Sequence, residues 1–434
     1  MIFENNHFIL FIFTIYILLN IYLNKTSFFI FFILIILLFI LSQIIDFNFF
    51  IYISIIIFII IINNFKTKIE SLLLINFILL SLFIILFYNN LILIFLSIEI
   101  QTFSLLILIS SNKNNIKSLE AGLKYFILSS ISSGFFLLGL TCFFKTSSVL
   151  DLNLINFLFN KSNIFYSTGY IILMISLLFK LGLAPFHYWI ADIYEGSSYS
   201  LILLLSSLPK LSIFILLIKF NDFYEIIMIF GVISILIGAI AGFNQTKIKR
   251  LIAYSGVSNF GFVILSLSLN NIIGLDICLL YFFIYNFTNL FIVVIFLNFK
   301  NNIKYIIELN NSYINNKFLS ISLLITIFSI AGIPPLLGFL SKFIIITTLI
   351  NYNYMIIGCF ILLITSIGIG FYLRIINIIY FQNGNFYISW KNIININNNI
   401  LYLDLLNIGF VIYFTLFYLF NPKFFISYIF FFNN

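Results

Sequence analysis

The sequence predicts an all-α polytopic membrane protein of about fourteen transmembrane helices. Three observations lead there. Of the 434 residues, 63% are hydrophobic and only 8% are charged, against roughly 25% charged in a soluble domain. No water-facing surface can be built from that composition. Apolar runs recur from end to end, each near the ~20 residues that carry a helix across a bilayer. Runs such as FFIFFILIILLFIL, from Phe28 to Leu41, do not alternate in polarity, which excludes the strands of a closed barrel and leaves helices.

Taken in order, the spans fall into four segments. Residues 1–69 hold three, at 8–24, 27–44 and 47–63. The first has no small-residue cleavage site after it and is read as a retained helix. Residues 70–220 hold five, at 70–89, 91–110, 120–144, 168–194 and 199–219. Residues 221–380 hold five more, at 224–243, 251–269, 272–298, 318–349 and 353–380. Residues 381–434 hold a polar connection, 381–402, and a last span, 403–432. The other long connections, 145–167 and 299–317, are polar and rich in Asn and Ser, and no soluble domain is present.

The basic residues test this count. Loops after odd-numbered spans hold Lys25, Lys66, Lys68, Lys113, Lys117, Lys247, Lys249, Arg250, Lys300, Lys304, Lys317 and Lys391. The opposite loops and tails hold Lys145, Lys161, Lys219 and Lys423. Twelve against four is the asymmetry of a positive-inside topology, with both termini on the outer side. The net charge of +8 is accounted for by topology, so the chain calls for no nucleic-acid partner.

Cys142, Cys278 and Cys359 all lie in apolar runs. Their odd number and spacing give neither a disulfide framework nor a metal pattern, and they read as small buried hydrophobes. The 59 Phe and 25 Tyr, with abundant Ile, Asn and Lys, share A/T-rich codons and point to an AT-rich, organellar gene.

The charges inside spans are the informative ones. Glu99, Lys180, Lys210 and Lys342 lie near mid-span on separate spans. Each costs roughly 2.5–3.5 kcal/mol on insertion scales unless it is paired or lines a polar interior. One such group is as readily a structural ion pair; a glutamate with three lysines reads as a proton or ion path. Lysine suits that role, because a buried ammonium can release its proton where arginine cannot. A nearby carboxylate holds the proton on, so a moving partner acts as a switch. Glu99 and Lys180 are the candidates for that pair.

Two spans are also broken. One reads FKLGLAPFHYWIADIYEG (Phe179 to Gly196), the other AGIPPLLGFLSKF (Ala331 to Phe343). Each combines Gly, Pro and a lysine; proline frees a carbonyl and glycine permits close approach. Interruptions at corresponding places mark an inverted-repeat transporter. The expectation is two inverted five-helix repeats, spans 4–8 and 9–13, with the broken spans 7 and 12 fourth in each. His187, close after Pro185, is a candidate relay or an interfacial histidine. Glu120 and Lys124, spaced i,i+4, form either a local salt bridge or part of a relay. Asp192 and Glu195 read as solvated or paired with basic groups. Pro209 loosens the backbone beside Lys210. Arg374 reads as a helix-end or headgroup anchor, and His7 carries no role.

These strings resemble a known family, the chain 2 subunits of respiratory complex I (NADH:ubiquinone oxidoreductase). Lys180–Gly196 is similar to that family's seventh-helix pattern APFHFWxPDVYEG. Ser118–Phe126 (SLEAGLKYF), Lys249–Phe262 (KRLIAYSGVSNFGF) and the AGIPPLLGFLSKF string are similar to its helix 6, 10 and 12 segments. The resemblance runs from about residue 90 to 380. It implies that Glu99 is the fifth-helix glutamate and Lys180 the central lysine of the first half-channel. Lys210 would be the connecting lysine, and Lys342 the lysine of the second half-channel. It implies proton translocation driven by quinone reduction elsewhere, within an H⁺-translocating NADH:ubiquinone reductase whose FMN, iron–sulfur clusters and ubiquinone are held by other subunits. This chain would bind no cofactor or metal and perform no redox chemistry. Its partners would be chains 4, 4L and 6, supernumerary subunits and lipids such as cardiolipin, and its place the mitochondrial inner membrane. The sequence departs from the family at Asn259, where many relatives have histidine, and in SSYSLIL after Gly196, which lacks the usual prolines. The alternatives are a subunit of a multi-chain cation/proton antiporter and a structural membrane scaffold with a decayed channel.

Overall fold

The computed structural model describes residues 69–382, apart from 148–149, 158–163, 221–223, 270–271, 300–302, 311 and 335. The first three spans, His7 and the last span lie outside the described residues. The rest is helical: α1 (Ile69–Phe87), α2 (Leu91–Ser110), α3 (Ile116–Ser147), the short α4 (Leu152–Phe157), α5 (Ile164–Leu181), α6 (Tyr188–Gly196) and α7 (Tyr199–Lys219). There follow α8 (Tyr224–Phe243), α9 (Ile248–Leu267), α10 (Ile272–Asn298), the one-turn α11 (Ser312–Asn315), α12 (Lys317–Ala331), α13 (Leu337–Asn351) and α14 (Met355–Tyr380). Eight of these helices are long and apolar enough to cross a membrane. Among the described residues there is no β-strand, only two isolated bridges.

Capping residues set edges that hydropathy misses. Asn90 accepts the Ile92 N–H at 3.0 Å and starts α2. Asn115 accepts the Lys117 N–H at 3.3 Å, so α3 begins in polar sequence, ahead of the apolar run that predicted a start at 120.

The chain forms two compact units. The first takes the residues up to Leu181 and again Leu204–Asp222. In it α2 meets α3 through Phe95 and Phe136 (centroids 5.9 Å apart), and α3 meets α5 through Phe143 and Tyr166 (5.0 Å). The connection after α1 pairs with the one after α3: the Leu91 N–H donates to Leu150 O at 2.9 Å and the Leu152 N–H to Asn89 O at 3.0 Å.

The second unit takes Gly182–Leu203 and the chain from Phe223 onward. Here α6 packs on α9, and α10 packs on α13 through Leu280, Ile284 and Leu337. The connection after α8 pairs with the one after α10: the Ile248 N–H donates to Lys304 O at 3.1 Å and the Ile306 N–H to Thr246 O at 3.0 Å. In both units, then, connections two spans apart share one end, as an up-and-down order of spans requires.

Both broken spans break at a glycine in the left-handed region, Gly182 (φ 70°) and Gly332 (φ 81°). At the second, the Gly332 N–H donates to Ser329 O and the Ile333 N–H to Phe328 O, at 3.2 and 3.1 Å. That pair of bonds is a Schellman cap, which needs the positive φ and stops α12 there. The seventh span becomes α5 and α6, the twelfth α12 and α13.

Candidate functional site

Lys180 occupies the last turn of α5. Its Nζ lies 3.6 Å from Glu99 Oε1 on α2, with the lysine side chain 6% and the glutamate 23% exposed. One turn further along α2, Thr102 donates to the Glu99 carbonyl at 2.9 Å and lies 3.4 Å from its Oε2. Low-polarity surroundings make each charge depend on the other. A carboxylate beside the ammonium raises the cost of losing the proton, and withdrawing it lowers that cost.

Two residues along α2, Gln101 Oε1 accepts from Ser212 Oγ on α7 at 2.9 Å. This bond ties α2 to the buried stretch of α7 that carries Lys210. Pro209 stands inside α7, so the helix lacks one N–H immediately beside that lysine.

In the second unit, Lys342 Nζ donates to the carbonyls of Ile330 and Ala331 at 2.8 and 2.9 Å. These belong to the last turn of α12, where carbonyls lack helical partners and the helix dipole presents its negative end. The ammonium also lies 5.6 Å from the Phe262 ring centroid, within cation–π range. Lys342 lines a cavity of about 20 Å³ with Asn259, Phe262, Tyr372 and residues of α8 and α14, room for about one water molecule. Tyr281 donates to Asn259 Oδ1 at 3.0 Å. Asn259 therefore belongs to a polar patch beside Lys342 although it does not titrate.

His187 is buried, its ring centroid 4.4 Å from that of Tyr188 and 6.1 Å from that of Tyr254. Glu120 and Lys124 lie 2.7 Å apart on α3 with side chains 58% and 40% exposed, the geometry of a local i,i+4 pair. Asp192 and Glu195 are bound by bases: Arg250 contacts Asp192 at 2.9 Å and also Glu195, and Lys247 reaches Glu195 at 2.6 Å. Lys249 donates to the Ser197 carbonyl. Together these contacts fasten the end of α6 to the start of α9. Lys219, counted in the sequence as a loop charge, has its ammonium ringed by four oxygens, the carbonyls of Ile85, Leu86 and Tyr88 and Asn89 Oδ1, at 2.6 to 3.1 Å. No letter of the sequence marks a helix end as its acceptor. Among the described residues no group of three or more His, Cys, Asp or Glu is placed to hold a metal ion.

The Glu99–Lys180 geometry gives a first expectation. Glu99→Gln keeps the shape and a hydrogen-bond acceptor but removes the charge that holds the lysine proton. Ion translocation should fall by less than it does for loss of Lys180, with assembly intact; failure of the protein to assemble would make Glu99 structural glue instead.

Apolar helices interrupted beside lysines, with further charge buried inside spans, define a membrane protein of the transporter type. Within that class the chain belongs to the NADH:quinone oxidoreductase/Mrp antiporter transmembrane family, whose sequence model matches residues 88–370. It is 34% identical over 326 residues to NADH-quinone oxidoreductase subunit N of Pelagibacter ubique, covering 72% of this chain and 69% of that protein. It is 33% identical over 310 residues to NADH-ubiquinone oxidoreductase chain 2 of Metridium senile, covering 69% and 80%. Its fold is similar to a chain of respiratory complex I from Thermus thermophilus solved with bound aureothin. The TM-score is 0.71 at 21% identity, over 84% of this chain and 83% of that one.

Proposed function

We propose that this chain is a membrane-arm subunit of respiratory complex I, of the chain 2 (subunit N) type. In this reading it translocates protons across the mitochondrial inner membrane, coupled to NADH:ubiquinone electron transfer in other subunits. The observation that carries the reading is the family match over 88–370, a segment that contains Glu99, Lys180, Lys210 and Lys342. The names of the two relatives decide between the branches of the family in favour of complex I. FMN, the iron–sulfur clusters and the quinone site belong to other subunits. The neighbours are chains 4, 4L and 6, supernumerary subunits and lipids, cardiolipin among them.

The chain has fourteen helices in this reading, and residues 70–220 and 221–380 are two inverted five-helix repeats, each a half-channel. The matched connection pairing and the two glycine breaks support the repeats. Lys180 takes up and releases protons in the first half-channel and Glu99 controls when. Lys210 connects the half-channels and Lys342 serves the second. His187 and the Glu120–Lys124 pair are side relays.

The test is native gel separation of mitochondrial membranes, with NADH activity staining and mass spectrometry of the active band. Peptides of this chain are expected in that band. Their consistent absence, with the chain in a redox-free particle, would overturn the reading in favour of a multi-chain cation/proton antiporter.

A further inference from the structure

In the first unit, the last residue of α7 sends its ammonium to the end of α1, where Lys219 Nζ takes the carbonyls of Ile85, Leu86 and Tyr88. In the second unit, Arg374 on α14 lies with Nη1 3.5 Å from the carbonyl of Phe243, the last residue of α8, and 3.4 Å from that of Gln245. The two contacts span similar lengths of chain: Lys219 lies 131 to 134 positions from the carbonyls it reaches, and Arg374 lies 129 to 131 from its own. Each acceptor helix is followed at once by the connection that makes the two-bond bridge described above.

We infer that Lys219 and Arg374 are equivalent positioning residues, fixed-charge clasps that hold α7 to the carboxyl end of α1 in the first unit and α14 to that of α8 in the second. A cation suits that place, because the final carbonyls of a helix lack partners and carry the negative end of its dipole. The same task is performed by a lysine in one unit and an arginine in the other. Arginine keeps its proton throughout the physiological range, so the task needs a permanent charge and no proton transfer. Lys219 thereby separates from Lys180, Lys210 and Lys342, which proton passage requires to titrate. The clasp concerns folding and holds whichever complex contains the chain.

The test exchanges the two side chains in the whole assembled complex. Lys219→Arg should leave the amount of complex, its heat resistance, its proton pumping and the pH profile of that pumping unchanged. Lys219→Met should lower the amount of complex or its heat resistance several-fold, and Arg374→Lys should behave as wild type. Complex that assembles with Lys219→Arg but pumps less, or with a shifted pH profile, would show that Lys219 passes protons and would overturn the inference. Failure of Lys219→Arg or Arg374→Lys to assemble would overturn the equivalence, and a Lys219→Met protein as robust as wild type would overturn the clasp.

Discussion

Replacing Lys180 with methionine should cut proton pumping and quinone-linked turnover by about a hundredfold, the low end of the roughly 10²–10⁴ that a positioned proton-transfer group contributes. The methionine stem refills the volume beside α2 with no group that can take up a proton. Glu99 is left without its partner at 3.6 Å. Its side chain is 23% exposed, so it can be neutralised or hydrated in place, and the complex should still assemble. Lys180→Arg divides the explanations further. It keeps the ion pair but cannot release a proton, so it should assemble normally and stay slow. Normal pumping by assembled Lys180→Met would sink the relay, and normal pumping by Lys180→Arg would mean that a fixed charge suffices there.

The helices were legible because lipid leaves few solutions: ten of the apolar runs, from 70–89 to 353–380, each correspond to one long helix or a broken pair. Both breaks were legible because Gly and Pro act on the backbone directly, whatever surrounds them. The partnership of Glu99 with Lys180 followed from charge, since an acid and a base inside a membrane need each other. What stayed hidden has two causes. Lys219 and Lys342 bind main-chain carbonyls, and a carbonyl is present at every residue. Its availability depends on where a helix stops, which is a property of the fold. The placing of α6 with α9, through Asp192, Glu195 and Arg250, was equally out of reach, because hydropathy reads 168–194 as one span.

Gly338→Ala should lower proton pumping as severely as loss of Lys342 itself, if Lys342 serves the proposed second half-channel. A methyl on Gly338 would stand 1.6 Å from the Ser329 carbonyl oxygen and 2.7 Å from its carbon. These are backbone atoms of the last turns of α12, so no side chain can step aside, and the first turn of α13 has to move off. Overpacking of this kind costs typically about 1–3 kcal/mol and occasionally more. The functional loss comes from geometry. Lys342 sits one turn further along α13, and its 2.8 and 2.9 Å bonds to Ile330 and Ala331 depend on the approach that Gly338 permits. Gly358→Ala is the comparison, since a methyl there meets only the Ile350 side chain at 3.5 Å, an ordinary contact, and should leave pumping unchanged. Because Gly338→Ala and Lys342→Met remove the same interaction, the double variant should pump no less than the worse single one. Equal pumping by the two alanine variants would refute the close crossing of α12 and α13. Losses that multiply in the double variant would show that Gly338 acts through something other than the lysine.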